Sequence, residues 1–229
     1  MTEITQQKDK NNQLKLKVCG LTQLSQIREL VALKIDFLGF IFYERSPRSA
    51  LNHLTLEEIS KINHSGKVGV FVNETIENII DISEKADLNL IQLHGDENQE
   101  YILKLRQSLN EKIQIIKVIR IGNQTIEELR NTINQQPITN NYLLFDTDSK
   151  AFGGTGNTFD WQILDQVTMN KPYFLSGGIS LENIHQTSSI QKQPFAIDVN
   201  SKFETEPGIK DVEKIKKFIY TLKSPNGTT

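Results

Sequence analysis

The chain has 229 residues, 37% hydrophobic and 24% charged, which suffices for one large domain or two small ones beneath a very polar surface. A formal net charge of -2 argues against a general nucleic-acid binder, which carries a basic face. No apolar run approaches the roughly 18 residues of a membrane span, and a lone cysteine, Cys19, forms no internal disulfide and gives no sign of an oxidising compartment.

Residues 1–13, "MTEITQQKDKNNQ", hold neither a signal-peptide apolar core nor an Arg-rich amphipathic pattern. They read as a disordered tail, and a cytoplasmic location is the expectation. "LKLKVC" is a strand candidate, followed by "LSQIRELVALK" with Leu24, Ile27, Leu30 and Val31 at helical spacing. "FLGFIF" comes next, then a helix opened by a Thr55–Glu58 capping box. "KVGVFV" precedes "ETIENIIDISEKA", and "LNLIQL" precedes "ENQEYILKLRQSL". "IQIIKVI" precedes a second capping box, Thr125 to Glu128. "YLLF" leads through a glycine-rich loop to the helix candidate "TFDWQILDQV", and "PYFLS" leads to the helix candidate "GGISLENIHQT". "FAIDV" comes last, then a loop and "DVEKIKKFIYTL". Eight strand candidates, each followed by a helix candidate, predict an α/β fold: a single (β/α)₈ barrel over residues 14–224, with 225–229 a second tail. An open doubly wound sheet is the alternative, but "CGLTQL" is no nucleotide fingerprint.

In a (β/α)₈ barrel the active site lies at the C-terminal ends of the strands. There the sequence puts Cys19, "FYERSPR", "FVNE", "QLHGD", "VIRIG", "FDTDSKAFGGTGNTFDW", "LSGGIS" and "IDVNSKFETEPGIKD". Gly154, Gly177 and Gly178, with Asn200 and Ser201, follow the sixth to eighth strands. Glycine turns at helix starts favour an anion, so they point to a phosphate site; each alone is also an ordinary tight turn. "GGTGNTF" lacks the lysine and spacing of a P-loop. Asp146 at the sixth strand end is an acid, a base or a cap, and Asp148 is a turn residue. Arg45 and Arg48 are solvated arginines or grips for a ligand carboxylate, and His94 is similarly open. The four histidines are scattered, without metal-ligand spacing.

The ordered set "KVCGLT", "YERSPR", "GVFVN", "IQLHGDE", "LFDT…GGTGNTFDW", "FLSGGI" and "DVNSKFE…PGIKD", from about Lys15 to Asp211, resembles the phosphoribosylanthranilate isomerases of tryptophan biosynthesis. The resemblance implies a cofactor-free, metal-free Amadori rearrangement of a small phosphosugar substrate, by a monomer or homodimer acting on neither nucleic acid nor membrane. By that resemblance Cys19 is the general base and Asp146 the general acid. Arg48 holds the anthranilate end with His94 beside it, and the loops of Gly154, Gly178 and Ser201 hold the phosphate. Asn157, Lys202 and Phe203 depart from the family pattern, and "FETEPG" reads as a surface loop. A histidine-pathway isomerase would carry Asp at Cys19. Indole-glycerol-phosphate synthase would need catalytic lysines that Lys17 and Lys117 do not obviously provide. A binding-only barrel would not need the acid–base pair. In water Asp titrates near 4 and Cys near 8.5, so acid on Asp146 with thiolate on Cys19 inverts the ordinary order at a cost of about 6 kcal/mol.

Overall fold

The computed structural model describes residues 14–148 and 158–223. The expected tails at 1–13 and 225–229, and Gly154 and Asn157 of the glycine-rich loop, lie outside the described residues. Eight parallel strands close into a barrel in the order of the chain. They are β1 (Lys15–Val18), β2 (Phe37–Ile41), β3 (Lys67–Phe71), β4 (Leu90–Leu93), β5 (Gln114–Ile121), β6 (Tyr142–Thr147), β7 (Tyr173–Leu175) and β8 (Ala196–Val199). The ring closes where β1 pairs with β8, with Lys17 level with Asp198. Around it run α1 (Leu24–Ala32), α2 (Leu56–Ser60), α3 (Ile76–Lys85), α4 (Gln99–Ser108), α5 (Ile126–Asn134) and α6 (Val212–Lys223). None of the described helices is long and apolar enough to cross a membrane.

Both capping boxes form. The Thr55 and Thr125 side chains accept from the Glu58 and Glu128 amides, and each glutamate reaches back to its cap. Two helix expectations need correction. The segments after β6 and β7 are 3₁₀ turns, Trp161–Gln166 and Ile184–Ser189. Their buried residues explain this: Trp161, Leu164 and Val167, then Ile184, Thr187 and Ile190, recur every third residue. Three residues per turn lines such a set along one side, which 3.6 per turn does not. The expected surface loop "FETEPG" is also different, because β9 (Glu204–Glu206) and β10 (Ile209–Lys210) pair there as an antiparallel ribbon. Phe203, just before it, is core, edge-on to Phe218 at 4.8 Å.

Alternate residues of a strand face alternate sides, and the barrel interior is layered accordingly. Its floor is apolar: Phe37, Val68, Leu90, Ile116, Leu144, Phe174 and Ala196 form one buried cluster. Two residues on, toward the C-terminal ends, Gln92 follows Leu90, Asp146 follows Leu144 and Asp198 follows Ala196, all buried. The larger apolar cluster lies between strands and outer helices. These buried polar side chains lie toward the mouth, while at the bottom Lys15 caps the floor with its ammonium over Phe37 and Phe195.

Candidate active site

Cys19 continues β1 by one residue: its amide donates to Val199 O at 2.9 Å, so the thiol shares the inward column of Lys17. The thiol is buried. Gly20 behind it turns the chain with φ of 73°, and a Cβ there would stand 2.7 Å from Asn200 Oδ1 and 3.0 Å from Arg48 Cδ. Only glycine lets the β1 exit lie so close to the loops after β2 and β8.

Beneath Cys19 sits a charged pair. Lys17 Nζ donates to both Asp198 carboxylate oxygens at 3.0 Å, with the lysine side chain fully buried. Lys17 stands two residues before Cys19 in the same inward column, and its charge acts on the thiol. Burial works to lower the Lys17 pKa, but Asp198 and Cys19 outweigh it and hold it above the ordinary value. Burial pushes the Cys19 thiol up; Lys17 opposes this, Asp198 reinforces it, and Lys210 opposes it again. The thiol stays above an ordinary cysteine. Asp198 is raised too, by burial first, with Lys17 pulling it down and Asp146 adding to the rise.

Asp146, one residue before the end of β6, faces inward and is buried. Its Oδ1 accepts from the Thr147 amide at 2.9 Å. Its Oδ2 lies 3.4 Å from His94 Nε2, whose geometry does not make a hydrogen bond. On the other side of the ring, Gln92 Nε2 stands 3.0 Å from His94 Nδ1. With the Gln92 amide donating there, the neutral imidazole carries its proton on Nε2, toward Asp146. His94 is thus brought to the acid candidate.

Arg48 comes from the loop after β2, and its partner comes from the ribbon. Arg48 Nε reaches Glu204 Oε1 and Oε2 at 3.0 and 2.8 Å, and one Nη adds 2.8 Å to Oε2. Lys210 Nζ bonds the same Glu204 at 2.6 Å and Asn200 Oδ1 at 2.8 Å. Burial works against the Glu204 carboxylate, but Arg48 and Lys210 outweigh it and hold its pKa below the usual range. Burial and Arg48 lower the Lys210 pKa, against Glu204 and Cys19. The ribbon is tied down by Thr22, which donates to Gly208 O at 2.6 Å, and by Gln26 on both backbone groups of Lys210.

The glycine turn after β7 is left-handed at both Gly177 (φ 88°) and Gly178 (φ 63°). Asn183 staples it, accepting from the Ser180 amide at 2.8 Å and donating to Gly178 O at 2.9 Å. Ser201, half-buried, begins a 3₁₀ turn after β8 beside Asn200. Gly154 lies outside the described residues. Lys117, in contrast, is bound to Glu97 Oε2 at 2.7 Å and Gly95 O at 2.8 Å, on the strand face opposite the inward Ile116 and Val118. Among the described residues no group of three or more His, Cys, Asp or Glu could hold a metal ion.

Cys19, His94, Asp146, Asn200 and the Gly177 turn therefore share one mouth, with Arg48 at its edge. Sequence reasoning missed Lys17 and Asp198 as a pair, and Glu204 and Lys210 altogether. The signal for the first two was present: a charge at an inward position of an apolar strand, in "LKLKVC" and in "FAIDV".

A closed parallel barrel with its titratable side chains gathered at the C-terminal mouth is the architecture of a single-domain barrel enzyme acting on a small molecule. The family model described as N-(5'-phosphoribosyl)anthranilate (PRA) isomerase matches residues 16–221. The N-(5'-phosphoribosyl)anthranilate isomerase of Parabacteroides distasonis is 39% identical over 92% of this chain and 94% of its own. The crystal structure of the Thermotoga maritima phosphoribosyl anthranilate isomerase superposes with a TM-score of 0.75 at 33% identity, covering 92% of this chain and 99% of that one. A further isomerase structure, in complex with reduced 1-(o-carboxyphenylamino)-1-deoxyribulose 5-phosphate, matches with a TM-score of 0.72 at 31% identity, covering 92% and 99%. The chain belongs to the phosphoribosylanthranilate isomerase family and is an isomerase.

Proposed function

We propose that this isomerase converts N-(5-phosphoribosyl)anthranilate to 1-(2-carboxyphenylamino)-1-deoxyribulose 5-phosphate, a step of tryptophan biosynthesis, with Asp146 as general acid and Cys19 as general base. Asp146 protonates the ribose ring oxygen, the ring opens, and a Schiff base forms between C1′ and the anthranilate nitrogen. Cys19 then takes the proton from C2′, and the enolamine tautomerises to the ketone. The observation that carries this reading is the inward placement of Cys19 and Asp146 at the ends of β1 and β6, on the same buried rim.

The remaining roles follow from the chemistry of each group. Arg48 keeps N–H donors beyond those held by Glu204, and these meet the anthranilate carboxylate. His94 Nε2–H, unpartnered and buried, steadies the Asp146 carboxyl as it loses its proton. The left-handed turn at Gly177 and Gly178, with Ser201 and Asn200, offers N–H and side-chain donors to the phosphate. By the family resemblance Gly154 belongs to the same phosphate site, though it lies outside the described residues.

The test is turnover by the purified protein. Phosphoribosylanthranilate is generated in situ and its fluorescence followed. Wild type consumes it, and Asp146→Asn lowers kcat by about 10³-fold or more with unchanged circular dichroism. An Asp146→Asn protein as fast as wild type removes the acid assignment, and a folded wild type without turnover removes the reading itself.

A further inference from the structure

Three cationic side chains, Lys17, Lys210 and Arg48, stand against two carboxylates, Asp198 and Glu204, around Cys19. Among the described residues this leaves one positive charge in that cluster without an anion. Lys17 is the cation next to Cys19 in the inward column of β1 and is fully buried, so water does not screen it. Asp198 holds it from below with two bonds of 3.0 Å, a geometry that fixes the ammonium under the thiol. Lys210 is the less favourable cation, since burial and Arg48 work against its charge and Glu204 already binds it.

We propose that Lys17, locked by Asp198, is the positioning residue that supplies the counter-charge of the Cys19 thiolate. Lys17 does not touch substrate; it acts through the sulfur. When Cys19 accepts the C2′ proton it becomes a neutral thiol, and Lys17 and Asp198 remain as a balanced ion pair. Asp198 has a second face. It lies close enough to Asp146 for that carboxylate to add to the rise in its own pKa. The charge of Lys17 favours ionisation of Cys19. The locked ammonium thus pushes the base toward the thiolate form that the chemistry requires. The charged groups acting on Cys19 are Lys17 from β1, Asp198 from β8 and Lys210 from the ribbon, with Arg48 beside Gly20 and Asp146 and His94 near Asp198.

The proposal rests on the acid–base reading above, but its test needs no substrate. Cys19 is the only cysteine, so the ultraviolet thiolate absorbance, taken as a difference against Cys19→Ala, reports one sulfur as pH is raised. Lys17→Met moves the thiolate midpoint to higher pH, cutting the thiolate fraction on the rising limb by about 10-fold or more. Asp198→Asn moves it to lower pH, because a repelling carboxylate is gone and Lys17 has only the sulfur to face. A merely structural role damages both variants alike and predicts no opposite shifts. In turnover, Lys17→Met lowers kcat with KM little changed. If Lys17→Met does not fold, Asp198→Asn decides alone: a lower midpoint supports the proposal. An unchanged or higher midpoint overturns it, as do shifts of the two variants in the same direction. Failure here with a turning-over wild type sinks only the role of Lys17. A wild type that folds, titrates as described and does not turn over sinks the enzymatic reading.

Discussion

Glu204 shows how much a site depends on a residue that contacts no reacting atom. Its carboxylate gathers Arg48 and Lys210, and the two cations outweigh burial to keep its pKa below the usual range. A depressed folded pKa stabilises above the unfolded value, about 4.3 for Glu, and that contribution disappears as pH falls through the folded value. Glu204→Gln therefore lowers stability at neutral pH by about 2 kcal/mol, and the melting-temperature gap to wild type closes in acid. KM also rises, since Arg48 loses its anchor. A gap of constant size from neutral pH to acid would show that the carboxylate charge is not what matters. At this scale Cys19, Asp146 and Arg48 were legible as polar residues where apolar runs stop. Glu204 and Lys210 were not, because nothing in "FETEPGIKD" reveals that a ribbon folds their side chains back over the β8 exit.

The strands were legible because each is a short apolar run covered on both faces. The helices after β6 and β7 were misread because a three-residue repeat over so short a span looks like half of a helical pattern. Only the burial of Trp161, Leu164 and Val167 in one line distinguishes it. The pairing of β1 with β2 carries a finer constraint. A Cβ on Gly39 would lie 2.9 Å from both the Cα and the sulfur of Cys19, and the Cα, being backbone, does not swing aside. Gly39 is the space in which the thiol sits. Gly39→Ala thus displaces Cys19 without removing it, and kcat falls by about 10- to 100-fold while the barrel still forms. An alanine variant with wild-type kcat would mean that the thiol position is not critical.

On the scale of the molecule the barrel interior is divided by height. Aromatic contacts such as Phe37 with Phe174, edge-on at 5.2 Å, close the floor, and the inward polar groups of the mouth sit over it. This division follows from strand alternation and was legible in outline once eight strands were counted. The buried Lys17–Asp198 pair was not, because its two members are 181 residues apart and meet only when the ring closes. The proposed acid and base likewise come to one rim only by closure, from the first and sixth strands. Their partnership is the central claim, and the turnover of Cys19→Ala tests it most directly. With phosphoribosylanthranilate supplied and the fold intact by circular dichroism, the variant loses about 10³-fold or more in kcat relative to wild type. A Cys19→Ala protein that turns over at the wild-type rate contradicts the account.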